Sequence, residues 1–318
     1  MNNIIFMEPV YKDYIWGGSN LKEKLKKNTP YEKTAESWEI SANANGNCKI
    51  LNKEYLNTTL NDLFNNNELK EKIFGSKCNS MNEFPLLIKF IDAKENLSIQ
   101  VHPNDEYAKK LGMSNGKNEM WYIMDCKGDS QLVGGLNKKI DSLELKQAIY
   151  NNEIKEYLNY IDVKKGDSIY IEAGTVHAIL KNNLICEIQQ NSDTTYRVYD
   201  WDRLDKNGAG RQLHKKEASE TIKTEIVPEI VSTNNDKEYQ NIVKNKYFEV
   251  YKINCNDEFE DCTNKESFYA MNVVNGEGNI ETESENIRIK TGDSFLMPAT
   301  LGEYKIKGKI EILKTCIV

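Results

Sequence analysis

Apolar residues recur at every second position in many short runs along this chain, the pattern of half-buried strands. The clearest run is Leu97-Ser98-Ile99-Gln100-Val101-His102-Pro103. Leu97, Ile99 and Val101 are expected to point one way and Ser98, Gln100 and His102 the other, with alternate side chains about 7 Å apart. Such a strand buries one face and lines a cavity with the other. Pro103 cannot donate to a ladder and ends it. Residues 84–92 are almost continuously apolar and predict a strand buried on both faces, with Lys89 conspicuous inside it. Further strands are predicted at 37–41, 119–124, 167–171, 177–180, 184–189 and 195–199. Short strands resume from Tyr247, with turns at Asn275-Gly276 and Thr291-Gly292.

Helical spacing is confined to a few segments. Leu60, Leu63, Phe64, Leu69 and Ile73 predict a helix near 58–74, with Thr59-x-x-Asp62 as capping box and Gly75 as stop. Residues 104–111 predict a short helix capped by Asn104 and stopped by Gly112. The best helical pattern covers 141–160, through Leu143, Leu145, Ala148, Ile149, Ile154, Tyr157 and Leu158. Residues 9–18 are extended and close in a Gly17-Gly18 turn. The polar stretch 228–246, with Pro228, Ser232 and Asn234-Asn235, is expected to be a linker or a crossing between sheets. Many short strands with few helices indicate a barrel or jelly roll.

Length and charge narrow the classes. The 318 residues suggest two domains, or one large domain with an appendage. Charged residues make up 29% and hydrophobic ones 39%, as in ordinary globular proteins. The net charge of −7 argues against a nucleic-acid partner, and a phosphorylated metabolite needs only two or three cations. No apolar run approaches the roughly 20 residues that span a membrane, and the N-terminus lacks a basic segment ahead of its short apolar run. Seven scattered cysteines without a CxxC predict reduced thiols in a cytoplasmic protein.

Two features carry chemistry. Gly166-Asp167-Ser168 recurs as Gly292-Asp293-Ser294, 126 residues later, each followed by three apolar residues, a turn and a second strand. The spacing of Gly166, Gly174 and His177 resembles the second motif of cupins, small jelly-roll barrels that present metal ligands inside. The first copy has Glu172 where proline is usual. The second has Thr300 for glycine and Glu303 for histidine, and reads as a degenerate barrel without a metal. Only three histidines are present. His102 and His177 fall at strand ends on lining positions, and Glu119 opens a strand. Two imidazoles and a carboxylate suit a catalytic divalent ion, most simply zinc. Gln100, on the face of His102, is a candidate fourth ligand. His214 lies in a polar stretch and is expected at the surface.

These residues, together with 84–89, Lys117-Asn118-Glu119, Gly174-Thr175-Val176-His177-Ala178 and 191–203, resemble type I mannose-6-phosphate isomerases of the compact bacterial branch. Trp16-Gly17-Gly18 and residues 36–41 fit as well. The resemblance implies a mainly β protein of two cupin-type jelly-roll barrels with a few helices beside the first. Residues 1–235 are expected to form the catalytic domain and 236–318 a smaller degenerate cupin.

What the resemblance implies is an aldose-ketose isomerase of carbohydrate metabolism acting on a small sugar phosphate through a cis-enediol, as a monomer or weak homodimer. By motif match, Gln100, His102, Glu119 and His177 hold one zinc ion. Arg197 matches the catalytic arginine; a guanidinium stays protonated, so its expected part is oxyanion stabilisation and positioning. Asp193 and Lys117 match polar active-site positions, and either one is a candidate for proton transfer. Lys89 and Ser98 match phosphate-binding positions, which explains a costly lysine in a buried run. Arg203 is a further candidate cation, the alternative being an ion pair with Asp200 or Asp202. Two other functions stay open on the sequence alone. Two histidines and a carboxylate also make a non-haem iron oxygenase site, and a cupin can bind a sugar phosphate without turnover.

Overall fold

The computed structural model describes residues 3–204, 208–233 and 236–318. The first unit is built from two antiparallel sheets. One holds eight strands in the order Ile230–Ser232, Asp167–Ile171, Glu119–Cys126, Asn183–Gln190, Leu86–Ala93, Glu36–Asn43 and Val10–Lys12, with Gly46–Asn47 attached to Glu36–Asn43. The other holds Leu158–Asp162, Gln131–Leu136, His177–Ile179, Ile99–Val101 and Tyr196–Tyr199. Trp121, Ile123, Ile169 and Ile185 from the first sheet meet Leu132 and Ile179 from the second in one buried core. The cavity described below lies between the same two sheets.

The eight-stranded sheet is buried on its outer face too. Ile88, Phe90, Tyr122 and Ile188 pack there against Phe248, Val250 and Leu313 of the second unit and against Leu63 and Phe74 of the intervening helices. This explains the continuous apolar run at 84–92, every residue of Leu86–Ala93 being buried. It also fixes the register. A one-residue slip would turn Phe90 inward and Lys89 into the apolar interface, forfeiting about 1.5–3 kcal/mol for each large side chain exposed.

The second unit is a nine-stranded sheet whose spine is the pair Tyr269–Thr282 and Glu303–Ile317. Its own core includes Met271, Phe295, Tyr304 and Ile312. Strand Ile5–Glu8 joins this sheet through Ser294–Met297, with Ile5 opposite Leu296. The start of the chain therefore crosses the division expected at residue 235 and stitches the two units together. The repeat is real in three dimensions. Gly166 and Gly292 have φ of 92° and 94°. Asp167 accepts from the amide of Lys164 at 3.0 Å and Asp293 from that of Lys290 at 2.8 Å, closing the same turn twice.

Several elements depart from the expected pattern. The helix near 58–74 is two, Leu60–Phe64 and Lys70–Phe74, with the capping box and the Gly75 stop in place. Asn65, Asn66 and Asn67 interrupt it, since asparagine side chains compete for backbone groups; Asn66 Oδ1 accepts from the amide of Glu68 at 3.1 Å. The helix in 141–160 is only Ser142–Tyr150, and Asn152 at φ 62° ends it. Ile154–Tyr157 is a single 3₁₀ turn and Leu158 opens a strand. Ile154 and Leu158 still pack in the same core as Leu145 and Ile149, which is why the spacing imitates a longer helix.

Asn275-Gly276 is not a hairpin turn but a bulge inside Tyr269–Thr282, where the register shifts between Val273 and Asn275. Gly276 sits there at φ 82°, and a Cβ on it would meet Lys309 O at 2.1 Å. The stretch 228–246 is the crossing between sheets rather than a plain linker, for it contains strands Ile230–Ser232 and Tyr239–Lys244, one in each unit. Asn234-Asn235 lie outside the described residues. Leu97 leaves the alternation: Ile99 and Val101 pack outward against the helices, whereas Leu97 joins the core between the sheets.

Candidate active site

Three strands deliver the cluster. Glu119 and His177 are the first residues of their strands, and His102 follows Ile99–Val101 directly. His177 stands opposite Gln100, and Gln100 opposite Arg197, on adjacent strands of the five-stranded sheet. Opposite residues share a face about 5 Å apart, so strand pairing alone gathers these three side chains. Glu119 pairs with Ile171 and Gln189 in the facing sheet.

The ligating atoms of His102, Glu119 and His177 all lie within 4.8 Å of one another. The two Nε2 atoms are 3.1 Å apart. Glu119 Oε2 is 3.4 Å from His102 Nε2 and Oε1 is 3.3 Å from His177 Nε2. Each imidazole is fixed from behind: His102 Nδ1 is 2.8 Å from the Thr194 carbonyl and His177 Nδ1 is 2.8 Å from the Thr175 carbonyl. A carbonyl only accepts, so each Nδ1 carries the proton and each Nε2 turns a lone pair inward. Burial, with Lys117 next, lowers the His102 pKa to about 3, and burial lowers that of His177. Burial works to raise Glu119, but Lys117 and the two histidines hold its carboxylate well below the usual range.

Two neutral imidazoles and an ionised carboxylate converging in a buried space make a donor set for a divalent cation. Neither Glu119 oxygen has a hydrogen bond of good geometry; its one close cation is the Lys117 ammonium, which leaves Oε1 free to face a metal. Lys117 supplies the local positive charge, its Nζ lying 3.0 Å from His102 Nε2 and 2.8 Å from Glu119 Oε2.

Lys117 and Gln100 also belong to the wall of a cavity of about 340 Å³. Lys89, Ser98, Asp193 and Arg197 line it too, so the structure brings together nearly all the residues singled out by sequence. Arg203 is not on that wall. Its Nη2 pairs with Asp200 at 2.6 Å, the alternative weighed for it. Asp193 is exposed at the rim and bonds Asn45. His214 is half-buried rather than on the surface, its Nδ1 accepting from the Arg197 amide at 3.1 Å. Arg197 Nη1 donates to the Gln212 carbonyl at 2.8 Å, while its buried Nε has no partner.

Sequence reasoning missed Glu36, Glu187 and Arg211 on the same wall. Glu187 stands opposite Lys89 in the register and its Oε1 is 3.0 Å from Lys89 Nζ; Glu36 is 3.7 Å away. Trp121 and Trp38 anchor the two acids through their indole N–H groups at 2.9 and 2.5 Å. Burial works to lower the Lys89 pKa, but Glu187 and Glu36 hold it above the ordinary value; burial pushes Glu187 up. The signal was present: a lysine buried in one apolar strand demands an acid, and the run 184–189 contains one. Arg211 is held by Asp200 through two bonds, at 2.7 and 2.6 Å.

Comparison with known proteins gives the family. The family description "phosphomannose isomerase type I, catalytic domain" matches residues 4–127, and "mannose-6-phosphate isomerase, cupin domain" matches 238–317. The mannose-6-phosphate isomerase ManA of Bacillus subtilis (strain 168) is 38% identical over 319 residues, covering 99% of this chain and 98% of that one. The chain belongs to the type I mannose-6-phosphate isomerase family. A crystal structure of the mannose 6-phosphate isomerase from Bacillus subtilis superposes with a TM-score of 0.90 at 38% identity, over 98% of this chain and 99% of the other. A zinc-bound mannose 6-phosphate isomerase shares the fold, with a TM-score of 0.78 at 16% identity over 98% of each chain. The second unit is thus the family's cupin domain. Its Glu303, at the position of His177, is exposed, and among the described residues His102, Glu119 and His177 form the one cluster suited to a metal.

Proposed function

We propose that this protein interconverts mannose 6-phosphate and fructose 6-phosphate through a cis-enediol, using one zinc ion per chain. The observation that carries the reading is the buried His102, Glu119 and His177 cluster, with lone pairs turned inward, set beside a cavity that holds Lys117 and Arg197. His102, Glu119 and His177 hold the metal, with Gln100 as fourth ligand. A zinc ion there polarises the sugar carbonyl and favours negative charge on its oxygen.

The protein's own groups do the rest. Arg197, charged despite burial and with Nε unpaired, stabilises the oxyanion of the enediol and orients the sugar. Lys117 and Asp193 serve the transfer of the proton between C1 and C2, which needs a group within hydrogen-bond reach of the carbon-bound hydrogen. Lys89 and Ser98 face the phosphate. Glu187 and Glu36 already offset Lys89, whereas the single carboxylate of Asp200 is shared by Arg203 and Arg211, so Arg211 on the wall adds the positive charge that a dianion needs. Free thiols at all seven cysteines support a cytoplasmic setting.

The test is a coupled assay of mannose 6-phosphate conversion on the purified protein as isolated, after chelation, and after zinc is restored. Turnover lost on chelation and recovered with zinc is the expected result. A folded, zinc-loaded sample without turnover would overturn the reading and favour a non-catalytic sugar-phosphate binder.

A further inference from the structure

Among the described residues the second unit contributes none to the cavity wall, yet it reaches the segment that carries Lys117 and Glu119. Tyr247 lies just before strand Phe248–Cys255 of that unit, in a turn closed by Asn245 Oδ1, which accepts from the amides of Tyr247 and Phe248 at 2.8 and 3.0 Å. Its hydroxyl donates to Asp105 Oδ2 at 2.6 Å. The other oxygen of that carboxylate faces the active-site loop. Asp105 Oδ1 accepts from the Gly116 amide at 2.9 Å and from Gln190 Nε2 at 3.2 Å.

Gln190 carries the contact onward. Its Oε1 accepts from the backbone N–H of Asn118 at 2.9 Å and from Asn118 Nδ2 at 2.7 Å. Asn118 Oδ1 in turn accepts from Tyr170 and from the Ala173 amide, both at 2.9 Å. Lys117 itself is tied by its amide to the Pro103 carbonyl at 3.0 Å. Gly116 passes so close to the helix start that a Cβ would meet Asn104 C and Asp105 N at 2.5 Å. Residues 116, 117 and 118 are thus each fixed through the backbone, and two of the three fixings run through Asp105 or its partner Gln190.

We propose that Tyr247 is a positioning residue for the isomerase site: by orienting Asp105 it sets the Gly116–Asn118 backbone and hence the placement of Lys117. The cupin domain is then part of the catalytic geometry rather than only a brace. A shift of about 1 Å in a reacting group costs up to 10²-fold in rate. The inference rests on the isomerase reading for its kinetic consequence but not for its structural one.

The experiment compares the full-length zinc-loaded protein with Tyr247→Phe. The expected result is a fall in kcat of about tenfold with KM within about twofold and zinc content unchanged. Native-state amide exchange at Gly116 and Asn118 should rise, with that of strand Phe248–Cys255 unaltered. In an Asp105→Ala background, Tyr247→Phe should cost much less than in the wild type, because its main effect passes through that carboxylate, with the Asn118 side chain as a smaller second contact. Tyr251→Phe, which also loses a hydroxyl bonded to an acid (Glu249) in the same unit, should leave kcat unchanged. Unchanged exchange at Gly116 and Asn118 would overturn the proposal, as would a loss of kcat that only tracks loss of folded protein. If the wild-type protein shows no turnover, the isomerase reading fails, while the exchange measurement still decides the role of Tyr247.

Discussion

His102 and His177 face each other through Nε2 atoms 3.1 Å apart, and neither has a proton to offer the other. Both Nδ1 protons are committed to backbone carbonyls. The pair is a repulsive contact that a cation between the rings resolves, so folding has stored a binding site in two outward hydrogen bonds.

That arrangement makes the metal-stripped protein acid-sensitive in a definite window. The folded His102 pKa is about 3, whereas an unfolded histidine titrates near about 6.5. Between those values the unfolded chain binds a proton that the folded chain refuses. The stability this group contributes is complete above about pH 6.5 and falls as pH drops toward about 3, by at most about 1.4 kcal/mol per pH unit. Urea unfolding of the chelated protein from pH 7 to pH 4 should show this slope, reduced in His102→Gln. Equal slopes in the two proteins would remove His102 as the cause.

Arg197 is expected to act in the transition state more than in binding. Its buried Nε has no protein partner, and its pKa is lowered by burial and by Arg211 without the group losing its charge. Arg197→Ala should lower kcat by about 10²–10³, with KM much less affected. Arg197→Lys should recover little, because an ammonium cannot reproduce the fork. A large rise in KM at constant kcat would instead make it a binding residue.

Lys89 tests how the cavity is held together. Its ammonium is buried with Glu187 and Glu36, and Trp121 and Trp38 tie those acids to the sheet. Lys89→Met leaves two carboxylates without their counter-ion and should destabilise the fold by about 3–5 kcal/mol. Adding Glu187→Gln should restore part of it. Denaturation midpoints of the single and double variants measure both effects, and an unchanged midpoint in Lys89→Met would show that water already screens the site.

Much of this site was legible because strand alternation reports a face. Ser98, Gln100 and His102 read as lining residues from period two alone, and the structure brings them to the cavity or the metal cluster. The turn chemistry of Gly166-Asp167 and Gly292-Asp293 was equally local, a positive φ followed by an aspartate that caps its own turn. What escaped was non-local. Glu187 acquires meaning only from the register that sets it opposite Lys89. Arg211 gains its place from bonds to Asp200, eleven positions earlier, which no local pattern reports. The overlong helix at 141–160 arose because Ile154 and Leu158 share a core with Leu145 while belonging to different elements, a coincidence of burial that periodicity cannot separate.

The core of the second unit encloses a buried lysine. Lys314 Nζ, almost fully buried, lies 4.7, 5.2 and 4.6 Å from the ring centres of Tyr239, Tyr251 and Tyr269 and 2.6 Å from Asp261 Oδ2. Tyr304 donates to the same carboxylate oxygen at 2.9 Å. The chain's own ammonium thus fills an aromatic cage. Cation–π contacts are worth about 0.5–2 kcal/mol each when shielded from water, and removing the charge also leaves Asp261 with one partner fewer. Lys314→Met, close in length and apolar, should therefore lower the unfolding free energy by about 2 kcal/mol or more, read from urea titration. Zinc content and kcat of the folded fraction should stay at wild-type values, because the cage contributes no bond to the Tyr247 and Asp105 link. Wild-type stability in Lys314→Met would mean that the methionine's packing replaces the cation fully, and that the cage is apolar filling rather than an electrostatic lock.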